Sequence, residues 1–214
     1  PTLGLILGST EALSDRQLPG TPEVFAKMYG EAQLLNHLID DLRTLSLADA
    51  GELPLNRQAC TPQALLERTA GAYAARADQM GIELRVAAAT DLPLVLVDPE
   101  RMAQVLGNLV SNALRYTPSG RAIILAAERT VDGAGSVLKV EDHGSGITPE
   151  DLPHIFDRFY RGDRARPQDE GESGLGLAIA KSIIEAYGGT IQVQSALDVG
   201  TTFTITLPTA AGND

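Results

Sequence analysis

Tryptophan is absent from this 214-residue chain, and aromatic residues make up only 4% of it. Any core must therefore be built mostly from aliphatic side chains. Basic residues are outnumbered, with 17 Lys and Arg against 28 Asp and Glu, a net charge of -11. That balance argues against a nucleic-acid binder, which would carry a basic face. It leaves room for a small phosphate-bearing ligand, because helix N-termini and a bound cation create local positive potential on an acidic protein. Cys60 is the single cysteine, so no internal disulfide and no Cys/His zinc cluster can form, and a reducing compartment is the simple expectation. No stretch approaches the roughly 18 consecutive apolar residues of a membrane helix. No secretory signal opens the chain. It begins on Pro1 rather than Met, so an excised piece is expected.

What is present divides in two. Hydrophobic residues are 43% of the chain and charged residues 21%, an ordinary globular balance. After Pro22, Val24, Met28, Leu34, Leu35, Leu38, Leu42 and Leu45 recur at three- and four-residue spacing, the period of one helical face. Thr21 and Pro22 supply a cap followed by proline at the first helical position, and this helix should end near Ala50 and Gly51. Residues 3–7 read as the tail of an earlier helix, closed by a loop over 14–20. Together they predict a helical hairpin over 1–53. Such a hairpin cannot bury both stripes alone, so a second copy completing a four-helix bundle is expected.

From 54 to 214 the pattern alternates. Helices are predicted over 61–79, 99–115 and 174–187, and strands over 82–88, 94–97, 122–129, 136–141, 190–195 and 201–207. Turns fall at Asp132-Gly133-Ala134-Gly135 and Asp198-Val199-Gly200. Antiparallel strand pairs with segregated helices predict an α+β class, a two-layer α/β sandwich preceded by the α-helical hairpin. The Gly-, Pro- and charge-rich run 142–172 is too long for a plain connection and predicts a lid or binding loop.

Three local patterns carry chemistry. On helix 99–115 an apolar stripe of Met102, Val105, Leu106, Leu109, Val110 and Ala113 is flanked by Asn108, Asn112 and Arg115 at i, i+4 and i+7. That row fits a solvated face as well as it fits amide oxygens for a hard cation with a guanidinium for phosphate. Magnesium keeps several waters, so one or two protein oxygens suffice. Next, Asp142-His143-Gly144-Ser145-Gly146-Ile147 closes a strand. Its glycines allow a tight backbone turn against a ligand, and its carboxylate can accept from an exocyclic amine, although a bare turn has the same look. Third, Gly171-Glu172-Ser173-Gly174-Leu175-Gly176-Leu177 opens a helix, where backbone N–H groups make an anion site. It is not a P-loop, because no Gly-Lys-Ser/Thr follows, nor a dinucleotide fingerprint, because no strand leads into it.

Their order is more specific than any one of them. Asn108-x-x-x-Asn112, Asp142-x-Gly-x-Gly, Phe156-Asp-Arg-Phe159-Tyr160-Arg161 and Gly174-x-Gly176 resemble the N, first glycine, F and second glycine boxes of the sensor histidine kinases of two-component systems. The resemblance covers about 60–208, including Gly200-Thr201-Thr202-Phe203. It extends to residues 35–46, which are similar to the second helix of the family's dimerisation and phosphotransfer hairpin. Pro1-Thr2-Leu3 is similar to the end of its phosphoacceptor box, which would put the reactive His just upstream of Pro1. His37, His143 and His154 lack the acidic neighbour of that box and are not expected to be acceptors.

The resemblance implies a Bergerat-type ATP-binding fold, with ATP and Mg2+ as ligands. By position, Asn112 should hold magnesium, with Asn108 assisting near the phosphates. Arg115, where the family often has Lys, should contact phosphate, and Arg161 the γ-phosphate. Tyr116 should lie near the nucleoside and Asp142 should accept from the adenine amino group. Gly144 and Gly146, with Ile147, should let the backbone approach adenine, and Thr201 should support it through water. Gly174, Leu175, Gly176 and Leu177 should offer backbone N–H groups to phosphates. Phe156 and Phe159 should anchor the lid by burial. His143, where Asn is common, and Glu172, where Gly is common, depart from the pattern, and Glu172 adds negative charge near the expected phosphates.

Gyrase-type and chaperone relatives usually carry a Glu four residues before the metal-binding Asn. Here that position is Asn108, an amide that cannot act as a general base, so little hydrolysis is expected. The implied activity is transfer of the ATP γ-phosphate to a His absent from this chain, and on to an Asp of a response regulator receiver domain. The alternative is a degenerate, non-catalytic nucleotide-binding and dimerisation module. The implied partners are that receiver domain and a second copy of the chain through the hairpin, with no nucleic acid. The implied setting is cytoplasmic, with any membrane anchor in absent segments.

Overall fold

Helix α1 spans Pro22–Asp49, entered from an extended Thr21 with proline in its first turn. It ends at Ala50, just before Gly51 at φ 69°. The computed structural model describes residues 4, 7, 11, 15, 19–131, 133, 135–162 and 173–208. The earlier helix of the expected hairpin lies mostly outside them; Gly4, Leu7 and Glu11 are helical.

The rest of the chain runs β1 (Gln58–Cys60), α2 (Pro62–Met80), β2 (Glu83–Ala88), β3 (Val95–Val97), α3 (Pro99–Tyr116), β4 (Ala122–Arg129), β5 (Gly135–Asp142), a 3-10 turn (Leu152–His154), α4 (Gly176–Ala186), β6 (Thr190–Ala196) and β7 (Gly200–Pro208). Five strands form one sheet in the order β2-β4-β5-β7-β6, and β1 pairs with β3 apart from it. The expected antiparallel pairs β4–β5 and β6–β7 form. The strand β2, for which the sequence indicated no partner, runs parallel to β4. The connection from β2 to β4 is a crossover through β3 and α3, and a crossover returns the chain to the end it left. The three-residue β1 is too short to show any period in the sequence.

Alternation lays out the two faces of the sheet. Ile123, Leu125 and Ala127 of β4, Leu138 and Val140 of β5, and Phe203, Ile205 and Leu207 of β7 point to one side and are buried. Helices α2, α3 and α4 cover that side, with α3 packed against both neighbours. Met102, Val105, Leu106, Leu109, Val110 and Ala113 are the buried stripe of α3, as their spacing predicts. The last turns of α1 dock on α4, where Thr44 and Leu45 are buried.

Asp98 fixes the entry to α3. One carboxylate oxygen accepts from the N–H groups of Glu100 (2.9 Å) and Arg101 (3.3 Å), and the other from Asn56 N–H (3.0 Å). The Asp98 N–H in turn donates to the Tyr187 hydroxyl at 3.0 Å, and burial pushes that phenol up to about 12. Asp98→Ala should therefore cost about 1–2 kcal/mol. A urea melt would show this as a lower midpoint with an unchanged slope; an unchanged midpoint would refute it.

Candidate functional site

The buried row of β5 runs Leu138, Val140 and then Asp142, a carboxylate where alternation demands a core-facing residue. Strand register sets it opposite Thr201 of β7. Asp142 is only 7% exposed and Thr201 6%. A buried carboxylate must be met by donors. Gly144 N–H reaches its Oδ1 at 2.8 Å, and the Thr201 backbone N–H also bonds it. Burial nevertheless holds the Asp142 carboxyl above its ordinary range, with those two N–H groups and His143 pulling the other way. Two carboxylate oxygens offer about four lone-pair directions, and two are used. The remainder can accept from a ligand.

The loop after Asp142 is pinned from both sides. Ser145 N–H donates to the Tyr116 carbonyl at the end of α3 (3.2 Å), and Asp198 N–H in the β6–β7 turn donates to the Ser145 carbonyl (2.8 Å). A Cβ on Gly144 would lie 2.5 Å from the Tyr116 carbonyl oxygen. Gly146 sits at φ 69°, and a Cβ there would run into the Ala196 carbonyl. Both glycines are thus demanded by backbone contacts. Ile147 N–H donates to Ser195 Oγ at 2.9 Å, which ties the far end of the loop to β6.

The row on α3 faces the start of α4. Asn108 Nδ2 donates to the Gly176 carbonyl at 2.8 Å, and a Cβ on Gly176 would come within 3.3 Å of Asn108 Cγ. This orientation of the amide leaves its Oδ1 as the atom able to meet a cation. Asn112 is half-buried one turn further on. The Arg115 guanidinium lies 5.4 Å over the exposed ring of Tyr116. Leu175 is fully buried, and its N–H bonds Ser173 Oγ at 3.2 Å as α4 begins at Gly176 and Leu177.

The segment before α4 meets the same place. Phe159 N–H donates to the Gly174 carbonyl at 3.0 Å, and Gly174 is itself at φ 68°. Phe156 packs edge-on against Phe203, ring centres 6.3 Å apart, as expected of an anchor. Phe159 does not: it is 63% exposed. The turn that carries its N–H to Gly174 holds it at φ 62°, and this left-handed backbone directs the ring outward. Arg161 is exposed near the end of the described lid segment. Glu172 lies outside the described residues.

The three histidines are engaged elsewhere. His143 Nδ1 bonds the Ala122 carbonyl at 3.0 Å, so this departure from the family pattern is turned to the start of β4. His37 Nδ1 bonds the Gln33 carbonyl (2.8 Å), and His154 faces Asp157 (3.0 Å). Among the described residues no group of three or more His, Cys, Asp or Glu could hold a metal ion. The oxygens on α3 are neutral amides, so a cation there needs a ligand that brings its own anions.

Two participants escaped sequence reasoning. Ser195 was detectable in principle, because the turn at 198–200 sets β6 against β7 and so pairs Ser195 with Thr201. Arg158 reaches Asp49 at the end of α1 with 2.6 Å and 2.7 Å contacts, a pairing across 109 positions that no local pattern signals.

Residues 97–211 match the family described as histidine kinase-, DNA gyrase B- and HSP90-like ATPases. The chain is 36% identical over 209 residues to the sensor protein SrrB of Staphylococcus aureus, covering 96% of this chain and 35% of that protein. It thus spans about a third of the length of the curated relatives it matches. The Acinetobacter baumannii histidine kinase AdeS superposes with a TM-score of 0.81 at 29% identity, covering 98% of this chain and 96% of that one. Full-length ShkA, solved with AMPPNP, gives a TM-score of 0.76 at 28% identity over 99% of this chain and 47% of that one. No helix among the described residues is long and apolar enough to cross a membrane.

Proposed function

Since the chain belongs to the histidine kinase-, DNA gyrase B- and HSP90-like ATPases, we propose that it is the ATP-binding kinase core of a two-component sensor histidine kinase. The observation that carries this reading is Asp142: a carboxylate placed by strand alternation on the buried face, beside a glycine loop that only glycine can make. It accepts from the adenine amino group. Asn108 and Gly176 bring the amide row and the second glycine turn to one place, where Gly174, Gly176 and Leu177 offer N–H groups to phosphates and Leu175 N–H would exchange Ser173 Oγ for one. Arg115 and Arg161 neutralise phosphate charge.

Magnesium fits the donor set only in company with phosphate oxygens, with Asn112 and Asn108 as its protein oxygens; when bound it would neutralise charge on the transferred group. Asn108 is an amide pinned by Gly176, so it orients groups and removes no proton from water. The phosphate is therefore passed to an imidazole nucleophile held by a hairpin and then to a response regulator Asp. We assign 1–53 to that hairpin and 54–214 to the nucleotide domain. Phe25, Tyr29, Ile39 and Leu42 of α1 are exposed apolar residues, which a second copy of the chain would cover in a homodimer.

Calorimetry with Mg-ATP tests the site. Binding is expected with ATP present and no heat with magnesium alone. Asn112→Asp should weaken Mg-ATP roughly tenfold or more by setting a carboxylate beside phosphate. A parent chain that ignores ATP would defeat the proposal. Adding a separate His-bearing hairpin tests transfer: acid-labile label should appear on the hairpin.

A further inference from the structure

Arg158 and Phe159 are the central residues of one tight turn, closed by Tyr160 N–H donating to the Asp157 carbonyl at 3.3 Å. Two segments far apart in the chain grip this turn. Arg158 Nη2 donates to both carboxylate oxygens of Asp49, the last residue of α1, at 2.6 Å and 2.7 Å. Phe159 N–H donates to the Gly174 carbonyl at 3.0 Å. A Cβ on Gly174 would lie 2.9 Å from Phe159 Cα, so the two backbones are in direct contact. Phe156 fixes the entry to the turn: its ring meets Phe203 of β7 edge-on and has the Lys181 ammonium of α4 5.7 Å from its centre. Phe159 is held at φ 62°, a conformation that a residue with a Cβ keeps only where its surroundings demand it. The grips on Asp49 and on Gly174 fall on adjacent residues, so neither end can shift without disturbing the other.

We infer that Arg158 is a positioning residue that couples the end of α1 to the phosphate turn: Asp49, through Arg158 and Phe159, holds Gly174 in the arrangement that presents the N–H groups of 174–177. The inference rests on the ATP reading above and adds an input to that site, because whatever displaces the end of α1 changes the affinity for ATP. The coupling is positive. Both grips are satisfied together in this fold, so each one that orders the turn lowers the entropy the other must give up. By reciprocity, Mg-ATP strengthens the hold of the turn on α1. Both side chains of the ion pair are about half exposed, so solvent screens it and the coupling is a bias rather than a lock. The rest of the α1 contact supplies the stable docking, with Leu45 buried against the core and α1 packed on α4, the helix that opens at Gly176.

Calorimetry with Mg-ATP on a mutant cycle tests this. Asp49→Asn and Arg158→Gln should each lower Mg-ATP affinity by about threefold, the worth of a half-exposed ion pair. The double variant should lose no more than either single one, because both act through one contact. The charge-swapped pair, Asp49→Arg with Arg158→Asp, should regain part of the loss. Parent-like affinity in Asp49→Asn, even with a lower urea midpoint, would make the pair a structural contact only and overturn the inference. Losses that add in the double variant would also overturn it, since Arg158 would then act on the nucleotide without Asp49. Hydrogen exchange reads the reciprocal effect: Mg-ATP should slow exchange of the amides in the last turn of α1 in the parent but not in Arg158→Gln, and equal slowing in both would count against the coupling. A parent chain that does not bind ATP defeats the ATP reading before any variant is compared, so that failure is distinct from failure of the Arg158 role.

Discussion

Asp142→Asn should lose ATP by about 100-fold while its fold stays at least as stable as the parent's. The loss is that of a charge-assisted hydrogen bond of about 1.5–3 kcal/mol, increased because the new amide can present N–H to the adenine amino group. The fold survives because an Asn oxygen still accepts from Gly144 N–H, the 2.8 Å bond that shapes the loop. It gains because a carboxylate 7% exposed is replaced by a neutral group. Asp142→Ala should abolish binding too, but it also leaves Gly144 N–H without its acceptor. Calorimetry and a urea melt on the same preparations separate the two effects. Parent-like ATP affinity in Asp142→Asn would remove Asp142 from the site.

The same group sets a pH dependence with opposite signs for stability and binding. Burial raises the folded pKa of Asp142 above its ordinary 3.8, so folding favours the protonated form. Its contribution to stability is fully present below that ordinary value and is lost as pH rises through the folded pKa. Nucleotide affinity needs the carboxylate, so it falls as pH is lowered through the same folded pKa. In Asp142→Asn both trends should vanish from this window, while titration of other groups remains.

Gly146→Ala should also eliminate measurable ATP binding, and unlike the Asp142 change it should damage the fold. At φ 69° any side chain costs about 1–2 kcal/mol. The added Cβ would also collide with the Ala196 carbonyl, which is backbone and cannot rotate away. Relief requires the loop and the β6–β7 hairpin to part, breaking the Asp198–Ser145 and Ile147–Ser195 contacts that aim the loop. Gly133→Ala is the matched control. It stands at φ 71° in the β4–β5 turn, with nothing nearer a new Cβ than Arg129 Cδ at 3.9 Å. It should show the backbone strain alone and keep ATP affinity. Equal melting midpoints and equal affinities for the two variants would show that the Ala196 contact does not shape the site.

Most of the proposed site was legible in the sequence. Asn108, Asn112, Asp142, Gly144, Gly146, Gly174 and Gly176 stand out because helix period, strand ends and glycine turns are written in neighbouring residues. The amide row on α3 fitted a solvated face as well as a binding face; the fold sets Asn108 on the Gly176 carbonyl, a contact 68 positions away that no local spacing signals. Phe159 was misjudged. Aromatic character suggested burial, but burial depends on backbone direction, and that direction follows from a bond to Gly174, fifteen positions away. His143 stood out as a departure from the family pattern, and its ring finds a partner in the carbonyl of Ala122 at the start of β4.

By itself the sequence determined the helix after Pro22, the three helices packed on the sheet, the two antiparallel hairpins of that sheet and the family. Each depends on spacings of two to seven residues, over which backbone geometry is nearly independent of the rest of the chain. Only the tertiary structure decided that β2 runs parallel to β4, that Arg158 reaches back to Asp49, and that Ser195 Oγ accepts from Ile147 N–H. Those outcomes rest on contacts between segments far apart in the chain, which no local spacing encodes.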